Sequence, residues 1–331
     1  MEKTIMLFSY AKINLSIDVG DVMPSGMHPV DMVMQQISLR DEISIRFTDE
    51  MPPEPINSFG ANLKGFEIYL RTNLRYLPNN RYNLAWRAAE LMIDEYGDRV
   101  NPKGLIEIFI KKRIPVAAGM AGGSGNAAAI MHGLNAMWEL GLSLEELCEQ
   151  GAKLGSDIPF CLMAQSKSNK DLPENIRYSN IASTCARARG TGTELSKVRP
   201  LKSNILVVTP RLSVSTRTVF TGIDECTISD RPNNDKLCRA LRYGDKNTVY
   251  SEMINVLEEF TLKEYPEVAE LKRYMIETCE GARKVLMSGS GPTVFAIFDS
   301  ESQAKKYATV FKEKSCFAFW ARTMIDRKSV V

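Results

Sequence analysis

Pro115-Val116-Ala117-Ala118-Gly119-Met120-Ala121-Gly122-Gly123-Ser124-Gly125-Asn126 is a glycine-rich loop set between two periodic runs. Before it, Leu105 to Ile110 alternates in the manner of a strand. After it, Ala127 to Leu140 carries apolar residues at helical spacing, Ile130, Leu134, Met137 and Trp138. A strand, a glycine-rich loop and a helix in that order leave unbonded N–H groups at the helix start. There the helix dipole also favours an anion such as a phosphate. The loop is not a P-loop, because no Gly-Lys-Ser/Thr ends it, and it contains no G-x-G-x-x-G for a dinucleotide. A tight turn that only packs a helix on a sheet would use the same glycines. Ser124 and Asn126 at the mouth, each able to bond a phosphate or a metal-bound water, favour phosphate binding.

Upstream, Ile5 to Val19 reads as a strand, followed by a turn at Pro24-Ser25-Gly26. Val30 to Leu39 and Glu42 to Phe47 read as two strands separated by a charged turn, Arg40-Asp41. Met51 to Gly60, with three prolines and a glycine, reads as a loop. Leu84 to Tyr96 reads as a helix capped by Asn83. Downstream, Ser143 and Glu146 form a capping-box pattern for a helix running to Leu154, with Gly155 as its stop. Ser156-Asp157-Ile158-Pro159 follows. Ser166 to Asn180 is polar and aperiodic, which predicts a loop or mobile insertion. Ile205 to Val208 is a short strand. Helices are expected at Lys236 to Tyr243, Glu252 to Phe260, Pro266 to Cys279 and Gln303 to Lys312. A second glycine turn, Ser288-Gly289-Ser290-Gly291, precedes a strand at Thr293 to Phe298, and Cys316 to Arg322 is a last strand. The order of runs predicts an α+β chain of two domains, 1–165 and 166–331, with the boundary between Gln165 and Asn204.

A length of 331 residues fits two domains or one large α/β unit. Forty-two basic against 40 acidic residues leave a net charge of +2, which argues against a partner held by bulk charge, whether nucleic acid or anionic membrane. Two histidines, His28 and His132, exclude a multi-histidine metal site. The seven cysteines form no C-x-x-C pair, which fits reduced, packed thiols in the cytoplasm. The N-terminus lacks a secretory or transit pattern. No run approaches the roughly 18 apolar residues that span a bilayer.

Three further features can carry chemistry. Asp157 follows a helix end and precedes a proline. Alone it reads as an N-cap, and functionally as a carboxylate that accepts or orients a hydroxyl proton. Lys12 is an isolated cation in an apolar strand. Strand lysines usually face solvent, but Asn14 shares its face, so a polar site on that face is open. The turn Ser288 to Gly291 reads equally as a hairpin turn.

The motifs in order are more specific than any one of them. Ala11-Lys12-Ile13-Asn14-Leu15, Gly26-x-His28, Asn83-Leu84, Pro115 to Asn126, Leu154-Gly155-Ser156-Asp157-Ile158-Pro159-Phe160 and Met287-Ser288-Gly289-Ser290-Gly291 together resemble the GHMP kinases, over almost the whole chain. The resemblance implies a two-domain α+β fold with the active site in the cleft between the domains. It implies ATP and Mg²⁺ as cofactors, and phosphorylation of the 2-hydroxyl of a small cytidyl-bearing methylerythritol alcohol in non-mevalonate isoprenoid-precursor synthesis. Pro115, Gly119, Gly122, Gly123, Ser124, Gly125 and Asn126 would wrap the ATP phosphates. Ser124 would be available to the metal, with no other metal ligand in view. Asn83 and Lys112 would sit near the nucleotide, and Ser288, Gly289 and Gly291 would line the transfer site. Asp157 would be the catalytic carboxylate and Lys12 its partner. Asn14 and Thr216 would position the acceptor, His28 would hydrogen-bond the cytosine, and Phe220 would stack on it. Phosphoryl transfer needs mainly positioning and charge neutralisation, which such residues supply.

Three departures from the family pattern stand out. Met27 occupies the position of a tyrosine in Gly-Tyr-His, which weakens the expected base clamp, although sulfur–aromatic contact remains open to it. Ser166 to Arg189 is longer than expected, as a surface loop or a lid. Ala117, Ala118 and Ala121 stand where glycine is usual, which leaves the backbone less freedom. Two other readings stay open: a GHMP kinase for another alcohol, such as a different isoprenoid precursor, a sugar or homoserine, and a nucleotide-binding paralogue without transfer. The sequence leaves monomer and homodimer open.

Overall fold

From Ser9 to Ile17 every side chain of the first strand is buried, polar ones included, so this strand is covered on both faces. The structure is a computed structural model that describes residues 2–51, 63–314 and 317–326. Its elements run β1 (Glu2–Val19), β2 (Val30–Thr48), β3 (Glu67–Thr72), α1 (Leu84–Tyr96), β4 (Leu105–Lys111), α2 (Gly122–Met137), α3 (Leu144–Ala152), α4 (Ile158–Ser168) and α5 (Glu174–Arg177). Then come β5 (Cys185–Arg189), β6 (Glu194–Lys197), β7 (Asn204–Thr209), α6 (Thr216–Gly222), α7 (Asn234–Tyr243), α8 (Lys246–Glu252), α9 (Glu258–Glu264), α10 (Pro266–Thr278), β8 (Lys284–Met287), β9 (Val294–Phe298), α11 (Glu301–Glu313) and β10 (Phe317–Arg322). The α+β class is as expected. No helix among the described residues is long and apolar enough to cross a membrane.

The chain forms two units interleaved in sequence. The first comprises Met1–Tyr10, Arg40–Ile114 and Gly122–Ala182. In it β4 pairs parallel with β3 and antiparallel with the second half of β2, with Ile45 opposite Ile108. Helices α1 to α5 belong to this unit. Phe47, Phe66 and Trp138 form an aromatic cluster with ring centroids 5.3–6.4 Å apart, a geometry that adds to plain area burial. The second unit comprises Ala11–Leu39, Pro115–Ala121 and Ser183–Val331. In it the first half of β2 pairs antiparallel with β5, and β5 with β6. A separate antiparallel sheet has the order β10-β7-β9-β8, with β7 and β9 buried at its centre, and α10 and α11 pack on it.

Local signals placed several elements well. Asn83 caps α1, accepting from Ala85 N at 3.0 Å. The Ser143–Glu146 capping box is complete. Other expectations are corrected. Arg40-Asp41 is not a turn: β2 runs unbroken through it, because the Asp41 carboxylate points inward onto three donors. Helix α2 begins at Gly122, five residues before Ala127. Helix α3 ends at Ala152, with Lys153 as its cap rather than Gly155. Ser166 to Asn180 is not a loop throughout. It holds the end of α4 and all of α5, with Leu172 and Ile176 buried. Several of its polar side chains are bonded within the fold, Ser166 Oγ to Met163 O at 2.7 Å and Lys167 Nζ to Arg177 O at 3.1 Å among them. The Asn169 side chain accepts from Phe8 N at 2.7 Å and donates to Phe8 O at 3.0 Å, mimicking a strand neighbour. The expected helix Glu252 to Phe260 is broken between α8 and α9, where Asn255 makes side-chain bonds elsewhere. Past Met51 the expected loop to Gly60 lies outside the described residues, as does Cys316 at the start of the expected last strand.

Candidate functional site

In the second unit the two glycine-rich turns meet. Gly119 has φ +71°, and a Cβ there would collide with the Ser288 carbonyl. A Cβ on Gly289, at φ +59°, would lie 2.9 Å from the Gly119 carbonyl oxygen. The two backbones are therefore in direct contact, and Ser288 Oγ donates to Gly119 O at 3.0 Å. The turn 288–291 is held from behind. Asn255 Nδ2 donates to Met287 O at 2.9 Å and to Gly289 O at 2.8 Å. Glu258 accepts from Met287 N at 2.9 Å, and Thr261 Oγ1 donates to Ser290 O at 3.3 Å. Buried backbone groups need such partners, and side chains from one segment here supply several of them.

The same unit brings more of the expected residues to these turns. Lys12 N donates to Met120 O at 3.2 Å. The Lys12 ammonium is buried and donates to Asn14 Oδ1 at 2.7 Å, which realises the shared face read from their two-residue spacing. Asn14 Nδ2 reaches Met32 Sδ at 3.4 Å. Thr216, on the first turn of α6, bonds Ser290 Oγ at 3.0 Å. One helical turn on, Phe220 lies with its ring centroid 6.1 Å from that of His28. His28 Nδ1 is 3.0 Å from Gly20 O. Met27, between Gly26 and His28, is 52% exposed.

In the first unit, Gly122, Gly123, Ser124 and Gly125 form the opening turn of α2, with no acidic residue among them to compete for an anion. A Cβ on Gly125 would lie 2.5 Å from Ser9 Oγ, so this turn sits hard against β1. The Asn126 amide, oriented to satisfy its neighbours, lies within hydrogen-bond distance of Ser9 Oγ (2.9 Å), Gly122 O (3.0 Å) and Asp41 Oδ2 (2.9 Å). Asp41 is fully buried and accepts from Arg113 N at 2.7 Å, from Ile114 N at 2.9 Å and from the Lys112 ammonium. Lys112 is therefore an interior cation paired with Asp41. Asn83 is likewise occupied, capping α1 and donating to Pro78 O at 2.9 Å. Asp157 stands at the N-cap position of α4, but its side chain makes no capping bond to that helix.

Sequence reasoning missed Asp41, Asn255, Glu258 and Thr261. Asp41 carried the signal that marked Lys12, a charge inside an apolar strand, but a neighbouring arginine made the pair look like a turn. Nothing local marks Asn255. Three of the cysteines are poor nucleophiles. Burial pushes the Cys148 and Cys279 thiols up to about 12, and Cys185 upward as well, so none of the three is a ready nucleophile. No group of three or more His, Cys, Asp or Glu side chains able to hold a metal occurs among the described residues.

The models of two family domains match the chain: the GHMP kinases N terminal domain over residues 83–165 and the GHMP kinases C terminal domain over 233–314. A 4-diphosphocytidyl-2-C-methyl-D-erythritol kinase from Alkaliphilus metalliredigens (strain QYMF) is 40% identical over 304 residues, 92% of this chain and 91% of that one. One from Clostridioides difficile (strain 630) is 38% identical over 317 residues, 93% and 94% of the two chains. Among solved structures, a 4-(cytidine 5'-diphospho)-2C-methyl-D-erythritol kinase superposes with a TM-score of 0.71 at 25% identity, over 96% of this chain and 99% of that one. A homoserine kinase from Cytophaga hutchinsonii shares the fold, with a TM-score of 0.64 at 14% identity over 98% and 95%.

Proposed function

Because the chain belongs to the GHMP kinase family, we propose that it transfers the γ-phosphoryl group of ATP to the 2-hydroxyl of 4-diphosphocytidyl-2-C-methyl-D-erythritol. This reading has it act in the cytoplasm, as a monomer or homodimer, on small molecules. The observation that carries it is the backbone-to-backbone packing of turn 288–291 on Gly119, in a chain 40% identical to a kinase of that name. Phosphoryl transfer has little covalent work for the protein to do. Its transition state needs aligned oxygens and fixed donors facing the charge.

On the ATP side, the opening turn of α2 and the loop before it offer backbone N–H groups as far as Ser124, beyond which the helix uses its own. The neutral, small residues there fit a phosphate chain, and the Ser124 hydroxyl fits Mg²⁺, which takes few protein oxygens when it travels with a nucleotide. When bound, that ion neutralises charge on the phosphates. Asn83 and Lys112 contribute indirectly, by holding α1 and the start of α2. On the acceptor side, Asp157 orients the hydroxyl and receives its proton. Lys12, steadied by Asn14, supplies positive charge for the transferring group. Thr216 is tied to the second turn through Ser290 and sets the height of the acceptor. His28 and Phe220 take the cytosine.

One observation favours a second reading. Met27 offers a flexible, exposed side chain where the family pattern carries an aromatic clamp, which suits a kinase of another alcohol.

The test is ADP release from the purified protein with Mg²⁺ and ATP. The acceptor is either the cytidyl substrate or the same methylerythritol phosphate alcohol without the cytidyl group. Turnover is expected with the cytidyl substrate alone, and to fall by two or more orders of magnitude in Asp157→Asn and Lys12→Ala, the usual scale for an acid–base group. Turnover in the variants equal to the parent would remove both residues from the mechanism. ATP binding without turnover of either alcohol would move the protein to another substrate or to a binding role.

A further inference from the structure

His28 faces two acceptors. Its Nδ1 lies 3.0 Å from the Gly20 carbonyl oxygen. A carbonyl only accepts, so Nδ1 carries the hydrogen, and in the neutral ring Nε2 is a bare lone pair. Nε2 lies 3.4 Å from Asp224 Oδ2. Asp224 sits in the single 3₁₀ turn Ile223–Glu225 that follows α6. It is one helical turn beyond Phe220, whose ring lies 6.1 Å from the imidazole at a 46° tilt. The His28 side chain is 94% covered, while that of Asp224 is 46% exposed and open to a ligand. Two acceptors that close attract a hydrogen donor. A proton on the ring meets that need without a ligand. A ligand with two N–H groups on one nitrogen meets it by donating to both.

We infer that Asp224 is a specificity-determining residue, which with His28 reads the exocyclic amine of a cytosine stacked on Phe220. The inference rests on the proposed cytidyl substrate and names the group that selects the base. Carboxylates accept well from the cytosine N4 amine. Uracil presents a carbonyl oxygen at the same edge, and would set a third acceptor against Asp224 and His28. With Met27 in place of a second aromatic ring, stacking holds the base from one side, and every base has a π-face. Choice among bases therefore falls to this polar edge.

The test is calorimetric binding of CMP and UMP to the full chain, with the ATP site filled by a non-hydrolysable ATP analogue. The parent is expected to prefer CMP by at least tenfold, the scale of one good base-edge contact. In Asp224→Asn the amide N–H can donate to the uracil oxygen, so UMP should bind more tightly than to the parent and the preference should shrink to within about threefold. A general structural lesion would weaken both nucleotides and could not strengthen UMP. Equal binding of CMP and UMP by the parent, or an unchanged preference in Asp224→Asn, overturns the assignment. Turnover of the cytidyl substrate is measured alongside. A CMP preference that depends on Asp224 without turnover rejects the proposed reaction and keeps the base reader. Turnover with a preference indifferent to Asp224 does the reverse.

Discussion

Asp41 and Lys112 are charges in an interior, and their worth is asymmetric. Removing one member of a buried pair costs about 3–5 kcal/mol, because the other is left charged and unpartnered. Here the two are not equally dependent. The carboxylate keeps the N–H groups of Arg113 and Ile114 if the lysine goes. The ammonium has only the carboxylate as a side-chain partner among the described residues. Asp41→Asn should therefore destabilise the first unit by the full amount, and Lys112→Met by clearly less, read as the shift in urea unfolding. Equal losses would mean that the backbone donors do not hold Asp41. The same residues mark how far sequence reasoning reaches. Lys12 and Asn14 were legible because a two-residue spacing in a strand fixes a shared face. Asp41 was not, because its donors lie about 70 residues away in sequence, and only the folded chain brings them together.

At the scale of elements, the loop before α2 shows what glycine does and what alanine endures. Ala117 and Ala121 hold φ +51° and +54°, in the left-handed region. For a residue with a Cβ this costs roughly 1–2 kcal/mol. Glycine would relieve that strain and give back roughly 0.5–1 kcal/mol in unfolded-chain entropy. Ala121→Gly should thus be neutral or raise the melting temperature slightly. Gly119→Ala should lower it sharply and abolish ADP release, because its Cβ has nowhere to go against Ser288. A Gly119→Ala protein that melts like its parent would mean the two turns are not packed as described. The loop's composition was legible, but the start of α2 was not. Glycines disfavour a helix by about 1 kcal/mol each, so Gly122 to Gly125 read as loop. Packing of Gly125 on Ser9 and bonds from Asn126 override that preference. The break between α8 and α9 was hidden for a similar reason. Its apolar spacing suits a helix, but Asn255 is drawn out to hold the turn 288–291.

At the scale of the molecule, the chain changes unit inside β1, between Tyr10 and Ala11, and inside β2, between Leu39 and Arg40. No glycine- or proline-rich linker marks either change, and the charged pair Arg40-Asp41 at the second lies within an unbroken strand, whereas the α+β class followed from the order of periodic runs. Stability against acid is also a property of the whole fold, and a buried histidine sets part of it. His132, within α2, is fully enclosed, and burial lowers its pKa to about 4 from the ordinary value near 6.5. Its Nε2 donates to Leu162 O at 3.0 Å and, among the described residues, its Nδ1 has no partner, so the ring is held neutral. The unfolded chain then binds this proton more tightly than the folded one does. Stability is whole above about pH 6.5 and falls as pH drops toward 4, since unfolding takes up a proton across that window. A shift of that size corresponds to about 3 kcal/mol at 1.36 kcal/mol per pH unit. In His132→Gln, where no proton is taken up, the loss of unfolding free energy between pH 7 and pH 4.5 should be smaller than in the parent by about 2 kcal/mol. The variant starts from a lower value at pH 7 because its amide fits the cavity less well. The slope with pH, rather than the starting value, is therefore the quantity to compare. Parallel slopes would mean that His132 is already reached by water and proton in the folded state.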